Sequence, residues 1–461
     1  MEGIERRINA ENRMITGVIW KQILFFFFPI MLGSLFQQLY NTVDAIVVGQ
    51  FVGKNALAAV GGSASNILNL LIGFFTGLSS GATVIISQYY GANDRDGVTR
   101  ALHTAILFSI VGGGALTVLG LLGTDAMLRL MDTPADTMEE SALYLRIMFL
   151  GMIPNMVYNV GSAILRAMGD SKRPLYFLVV ACLSNVLLDI VSVLLFKMGV
   201  EGVALASILA QTISAVMVML SLALPGRACR FVFNKMRFEG DILARTIKIG
   251  LPAGVQSIMY SLSNTLLAAT INSFGTDTVA AWVVLGKVDG ITWMMLGALG
   301  IASMTFVGQN FGAGRLDRVQ KSLKICLGMG ALITIGFGAG LLLFGAPLFS
   351  LFSKDAPVIE LSMRLLWYFA PFYWLFVPIE IISGTLRGLG DTLIPTVITA
   401  VGICVFRVIW VLAAVPAYNS VFTVSISYPV SWLVTSIAFA IYYLIVRRKR
   451  FSKIPEILQK Q

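Results

Sequence analysis

The chain is 461 residues long, 57% apolar and only 13% charged, with a mean hydropathy of +0.82. Soluble domains carry about 25% charged residues, so this composition argues against a large soluble enzyme. The net charge of +10 sits in short clusters between long apolar stretches, a pattern of membrane topology rather than of nucleic-acid binding.

Twelve apolar segments follow in chain order. They start near Lys21, Ala56, Thr99, Ala142, Pro174, Val203, Arg245, Val279, Ser322, Met363, Pro395 and Thr423, and the last ends near Val446, before RRKR. Each is too long for an ordinary strand and none alternates like a barrel strand, so all twelve are predicted helices. The first carries Gln37, Asn41 and Asp44 at i, i+4, i+7, one polar stripe. The second carries Gly73, Gly77 and Gly81, read as a close-packing face. Its Gly77-Leu-Ser79-Ser-Gly81 also spells G-x-S-x-G, but without the strand–turn–helix setting or a histidine base of a nucleophile elbow. The fifth carries Asn185 and Asp189 at i, i+4. The eighth carries Lys287 and Asp289, the tenth Glu380, the eleventh Arg407. Pro29, Pro154, Pro252, Pro371, Pro378 and Pro429 interrupt spans as kinks or hinges.

Other residue types exclude some chemistry. Cys182, Cys229, Cys326 and Cys404 are far apart in sequence and the sole histidine is His103, so neither a disulfide framework nor a zinc or multi-histidine centre is expected. The N-terminal MEGIERRINAENRMITG has no short apolar core and does not read as a signal peptide. No Asn-x-Ser/Thr sequon occurs, which fits a bacterial membrane protein.

With the N-terminus inside, the inside segments hold 26 of the 34 Lys and Arg, the outside segments 6, and Lys287 and Arg407 lie within spans. This bias predicts both termini in the cytoplasm and the loop with Asp125, Asp132, Asp136, Glu139 and Glu140 outside. The chain also repeats itself. SQYYGA (87–92) matches GQNFGA (308–313), and LRAMGDSKRP (165–174) matches LRGLGDTLIP (386–395), both at an offset of 221. Pro29, Ser34, Asn41 and Thr42 match Pro252, Ser257, Asn264 and Thr265 at 223. Motifs at nearly one offset indicate a duplication, and an even number of spans per half orients both halves alike. The expected fold is an all-α polytopic membrane protein with twelve transmembrane helices in two pseudo-symmetric six-helix lobes. The expected division is an N-terminal lobe over 1–224, a basic cytoplasmic linker over 225–244, and a C-terminal lobe over 245–461 with a basic tail.

A charge inside a span is costly, by at least ~2.5 kcal/mol on insertion scales, and marks a functional candidate. Asp44 and Asp189 fall at similar depth in the outer half of the membrane, with Asn41 and Asn185 on the same helix faces. Two carboxylates and two amides there can bind a proton or a sodium ion; interhelical hydrogen bonding is the alternative. Asp44 maps onto Leu267 and Asp189 onto Trp410 in the repeat, so the pair exists once, as one coupling site requires. Lys287 and Asp289, at i, i+2, cannot face each other and need partners elsewhere. Glu380 and Arg407 could pair or line a cavity.

LYNTVDAIVVGQFVG (39–53), SQYYGA, SAILRAMGDSKRP, NVLLD, GQNFGA and GTLRGLGD together resemble the multidrug and toxic compound extrusion family, over roughly residues 15–447. The resemblance implies two six-helix lobes with a V-shaped cleft, and export of drugs, often cationic and aromatic, against an inward proton or sodium gradient. It puts Asp44 at the family's first-helix Asp and Asn185 and Asp189 at its fifth-helix pair. Ser207, in GVALAS, stands where a threonine hydroxyl is usual. Another branch carries acids on the seventh and tenth helices; the matching positions here are Gln256 and Phe376, with Glu380 one turn away, so coupling through the second lobe is not expected.

The chain is thus expected to be an antiporter and not an enzyme, without catalytic residues. Its coupling set is Asp44, Asp189, Asn185, Asn41, Ser207 and Gln37, with sodium, if used, at Asp44, Asn185, Asp189 and Ser207. Gln256, Glu380, Asp289, Lys287 and Arg407 are the substrate-cavity candidates. No cofactor is expected beyond the coupling ion, H+ or Na+. Expected partners are small-molecule substrates and the bilayer of a bacterial inner membrane, not nucleic acid, with a working monomer. Alternatives are a flippase for a lipid-linked precursor and a membrane receptor or scaffold that transports nothing.

Overall fold

A computed structural model describes residues 13–224 and 230–451. Twelve long helical segments make up most of it: α1 Ile19–Val52, α2 Lys54–Gly91, α3 Arg95–Leu130, α4 Met138–Leu150 continuing as Met152–Ala167, α5 Lys172–Leu195, α6 Val200–Ala223, α7 Gly240–Asn272, α8 Thr276–Gly312, α9 Leu316–Ser350, α10 Ala356–Gly388, α11 Leu393–Ala417 and α12 Val421–Phe451. Ten are long and apolar enough to cross a membrane, and α4, bent by 51° at Gly151, makes an eleventh. The remaining one, α7, is 33 residues long and carries Gln256, Ser257, Ser261, Ser263, Asn264 and Thr265 among its apolar residues. Several helices extend beyond the apolar runs, as α7 does by starting at Gly240 rather than near Arg245. Hydropathy marks the part that lipid covers, whereas backbone hydrogen bonding carries the helix further.

The repeated motifs are helix C-caps. Gly169 and Gly390 both have positive φ, 91° and 82°, which a side chain resists. In each motif the glycine N–H donates three residues back, to Arg166 or Arg387, and the following Asp N–H donates five back, to Leu165 or Leu386. This is the Schellman pattern that satisfies the last carbonyls of a helix. In the other motif Asn93 and Gly314 occupy the left-handed position, with φ of 58° and 69°. The main-chain bonds match there too, Asp94 to Tyr89 and Arg315 to Asn310. Asp94 then caps α3 by accepting from the N–H of Gly97 at 2.8 Å, an ordinary N-cap bond.

The chain packs as two compact units, Phe28–Gly254 and the residues on either side of it. The division falls within α1 beside Pro29 and within α7 beside Pro252, both of which lie inside continuous helices. In the N-terminal unit the α2 glycines meet the first half of α7. A Cβ at Gly77 would strike the backbone of Ala253 and Gly254, and one at Gly81 that of Thr246 and Gly250. The G-x-x-x-G stretch is therefore a close-packing face, as expected. The 230–239 stretch lies along α3 in the same unit. His103 Nε2 accepts from Val232 N–H at 3.0 Å and its ring stacks on Phe231.

In the C-terminal unit Arg318 anchors the segment before α1. It donates to the Met14 and Gly17 carbonyls at 3.0 and 2.7 Å and to Asn310 Oδ1 at 2.9 Å. Gly384 and Gly388 on α10 lie against the carbonyls of Gly300 and Met304 on α8. Cys182, Cys326 and Cys404 are free and buried; Cys229 lies outside the described residues.

Candidate functional site

The N-terminal unit buries both acids of the sequence pattern. Asp44 on α1 is 8% exposed, and Asn185 and Asp189 on α5 are fully buried. The Ser207 hydroxyl, from α6, donates to Asp44 Oδ2 at 3.4 Å. Asp44, Asn185 and Asp189 are mutual neighbours, and the phenols of Tyr40 and Tyr144 face both carboxylates. Asp44 Oδ1, both Asp189 oxygens and both Asn185 side-chain polar atoms have no hydrogen-bond partner. Among the described residues no Lys, Arg or His pairs with either acid. Val47, Val48, Met148, Val193, Val200, Val203 and Ala204 belong to a buried apolar cluster of the same unit.

Local backbone follows the same plan on both acid-bearing helices. Just after Asp44, α1 widens into a π segment, Val48–Val52; just after Asp189, α5 does so at Val191–Leu195. Such π turns break the regular hydrogen-bond ladder and occur often at functional sites. The expected polar stripe separates: Gln37 and Asn41 are exposed while Asp44 is buried. Tyr40, one turn before Asp44 on its own face, was open to an i, i+4 reading. Tyr144 comes from α4, and no local spacing signals it.

The C-terminal unit holds a cavity of about 340 Å³, in the lower range of small-molecule sites. Asp289 and Arg407 line it among Tyr260, Trp282, Trp293, Phe376 and Tyr428. Trp293 Nε1 donates to Asp289 Oδ2 at 2.7 Å, and Oδ1 has no partner. Arg407 donates from Nε to Ser431 at 3.1 Å and stacks over Tyr428 at 3.9 Å. It does not pair with Glu380. A π segment, Ala400–Val405, ends two residues before Arg407.

The other three cavity candidates lie elsewhere. Lys287 is exposed; at i, i+2 from Asp289 it points to the other side of α8. Gln256 accepts from Arg387 at 2.6 Å and from Thr396 at 3.5 Å. Glu380 neighbours Arg387 and Tyr260. Arg387 thus reaches into the helix packing, whereas Asp391 accepts from Tyr442 at 2.6 Å at the helix end.

The MatE family model matches residues 29–191 and 252–413, one copy per half. The chain belongs to the MatE family. Like other members of this multidrug and toxic compound extrusion family it is a polytopic membrane transporter. It is 29% identical to the probable multidrug resistance protein YoeA of Bacillus subtilis, over 94% of this chain and 95% of that one. With the probable multidrug resistance protein YpnP of the same organism it shares 28%, over 95% and 98%. The solved structure of a MOP superfamily transporter from Pyrococcus furiosus superposes with a TM-score of 0.87 at 22% identity, covering 96% of this chain and 98% of that one. That likeness fixes the fold: all-helical, with twelve spans in two related lobes.

Proposed function

We propose that this transporter is a secondary antiporter that exports amphipathic, cationic compounds in exchange for protons or sodium, with Asp44 and Asp189 as its coupling pair. The observation that carries this reading is a pair of buried carboxylates with no cationic side chain beside them. Two bare negative charges at one buried site are costly, so the pair calls for a proton or a cation from outside the protein. Asn185 and Ser207 add oxygens that a sodium ion needs. A proton would instead be held on one carboxylate and shared with the other.

Loading and unloading that charge changes the packing that α1 and α5 prefer. A ligand can shift a conformational equilibrium only by binding its states unequally, and a buried site that must be neutralised in one packing and hydrated in another provides that inequality. The multidrug resistance names of the two Bacillus relatives support drugs as cargo. In cells lacking their own efflux pumps, expression should lower ethidium accumulation, and collapsing the proton and sodium gradients together should restore it. Equal accumulation with and without the protein would refute the export reading.

A further inference from the structure

We propose that the cavity of the C-terminal unit is a binding site for an aromatic zwitterion, with Asp289 holding its cationic group and Arg407 its anionic group. The proposal rests on the export reading only in taking the ligand as cargo. Both charged side chains line one cavity, yet neither is paired with an opposite charge. Asp289 has one oxygen on the Trp293 N–H, and its remaining polar neighbour is the neutral Tyr373 hydroxyl. Arg407 spends only Nε on a neutral hydroxyl and lays its plane over Tyr428. Among the described residues its terminal nitrogens have no acceptor. A guanidinium so held presents a planar fork to a carboxylate or similar anion.

The walls choose the middle of the ligand. Trp282, Phe369 and Tyr428 contact one another, and Trp293 contacts Phe376, in edge-on and tilted ring pairs with centroids 4.9–5.9 Å apart, leaving ring faces and edges for a flat guest. Tyr428 is the electrostatic neighbour of both Asp289 and Arg407, so one short molecule spans the two. At about 340 Å³ the space suits a guest of one or two fused rings. A purely cationic guest would leave Arg407 unanswered, and a purely anionic one would leave Asp289 so.

The test compares three probes with one two-ring body: 2-naphthylalanine, 2-naphthylethylamine and 3-(2-naphthyl)propionate. Binding to the purified full chain in nanodiscs is followed by calorimetry. The zwitterion should bind at least about tenfold tighter than the amine or the acid. Arg407→Gln should reduce zwitterion binding to the level of the amine, Arg407→Lys should keep part of the preference, and Asp289→Asn should reduce it to the level of the acid. If Arg407→Gln does not fold, the partial preference of Arg407→Lys carries the same test. Equal binding of zwitterion and amine by the wild type, or an unchanged preference in both Arg407 variants, overturns the proposal. Binding that follows the predicted order without export of the zwitterion from liposomes keeps the site and overturns its use for cargo; export of the amine with no zwitterion preference overturns the site and keeps the export reading.

Discussion

Asp189 is fully buried, and neither of its oxygens has a partner. Replacing it with Asn removes a charge that the site must otherwise neutralise, at nearly unchanged volume. Asp189→Asn should therefore keep the fold, with a thermal midpoint in detergent equal to or above that of the wild type, while gradient-driven efflux falls at least about tenfold, an effect of about 1.4 kcal/mol or more. A lowered midpoint together with normal efflux would make the acid a structural element. If sodium is the coupling ion, adding it should raise the wild-type midpoint through binding to the folded state and leave Asp189→Asn unmoved. Tyr144 lies near both carboxylates, so Tyr144→Phe should alter efflux less than either Asp change while keeping the fold.

At the scale of helices, glycines decide how closely neighbours pack. Gly81 faces the Thr246 carbonyl and Gly250 across the α2–α7 contact. Gly81→Leu should cost about 1–3 kcal/mol by overpacking, seen as a lowered thermal midpoint. Gly336, on α9 with open space around it, serves as the control, and Gly336→Leu should leave the midpoint nearly unchanged. This contact could be foreseen because small residues one turn apart have a single use in an apolar helix. The burial of the two acids could be foreseen on similar grounds, since Asp44 and Asp189 each stand out in a run of apolar residues. The roles of Gln37 and Asn41 could not be separated from that of Asp44, because spacing fixes a shared stripe but not where along it a neighbouring helix begins to cover it. The aromatic cavity was hidden for a related reason: Trp282, Trp293, Phe376 and Tyr428 come from α8, α10 and α12, and each alone reads as ordinary lipid-facing or core bulk. The partner of Arg387 could not be read from the repeat, because Gln256 has Gly33 at the matching place in the first half.

Across the whole molecule, duplication supplies two versions of one six-helix plan, and side-chain chemistry has diverged between them. The caps, close glycine contacts and π segments recur, whereas the acid pair belongs to the N-terminal unit and the Asp289–Arg407 cavity to the C-terminal one. The bias of Lys and Arg predicts the orientation of this assembly. In intact cells a membrane-impermeant thiol reagent should label Asp136→Cys from outside, in a background without native cysteines, and should reach Arg237→Cys only after the membrane is opened. Labelling in the opposite sense would invert the topology. The central claim, that the buried acids couple an ion gradient to export, is tested most directly in proteoliposomes by dye efflux under an imposed proton or sodium gradient, comparing wild type with Asp44→Asn. One of the two gradients should drive wild-type efflux and fail to drive the variant. Wild-type rates from Asp44→Asn under the driving gradient would contradict it.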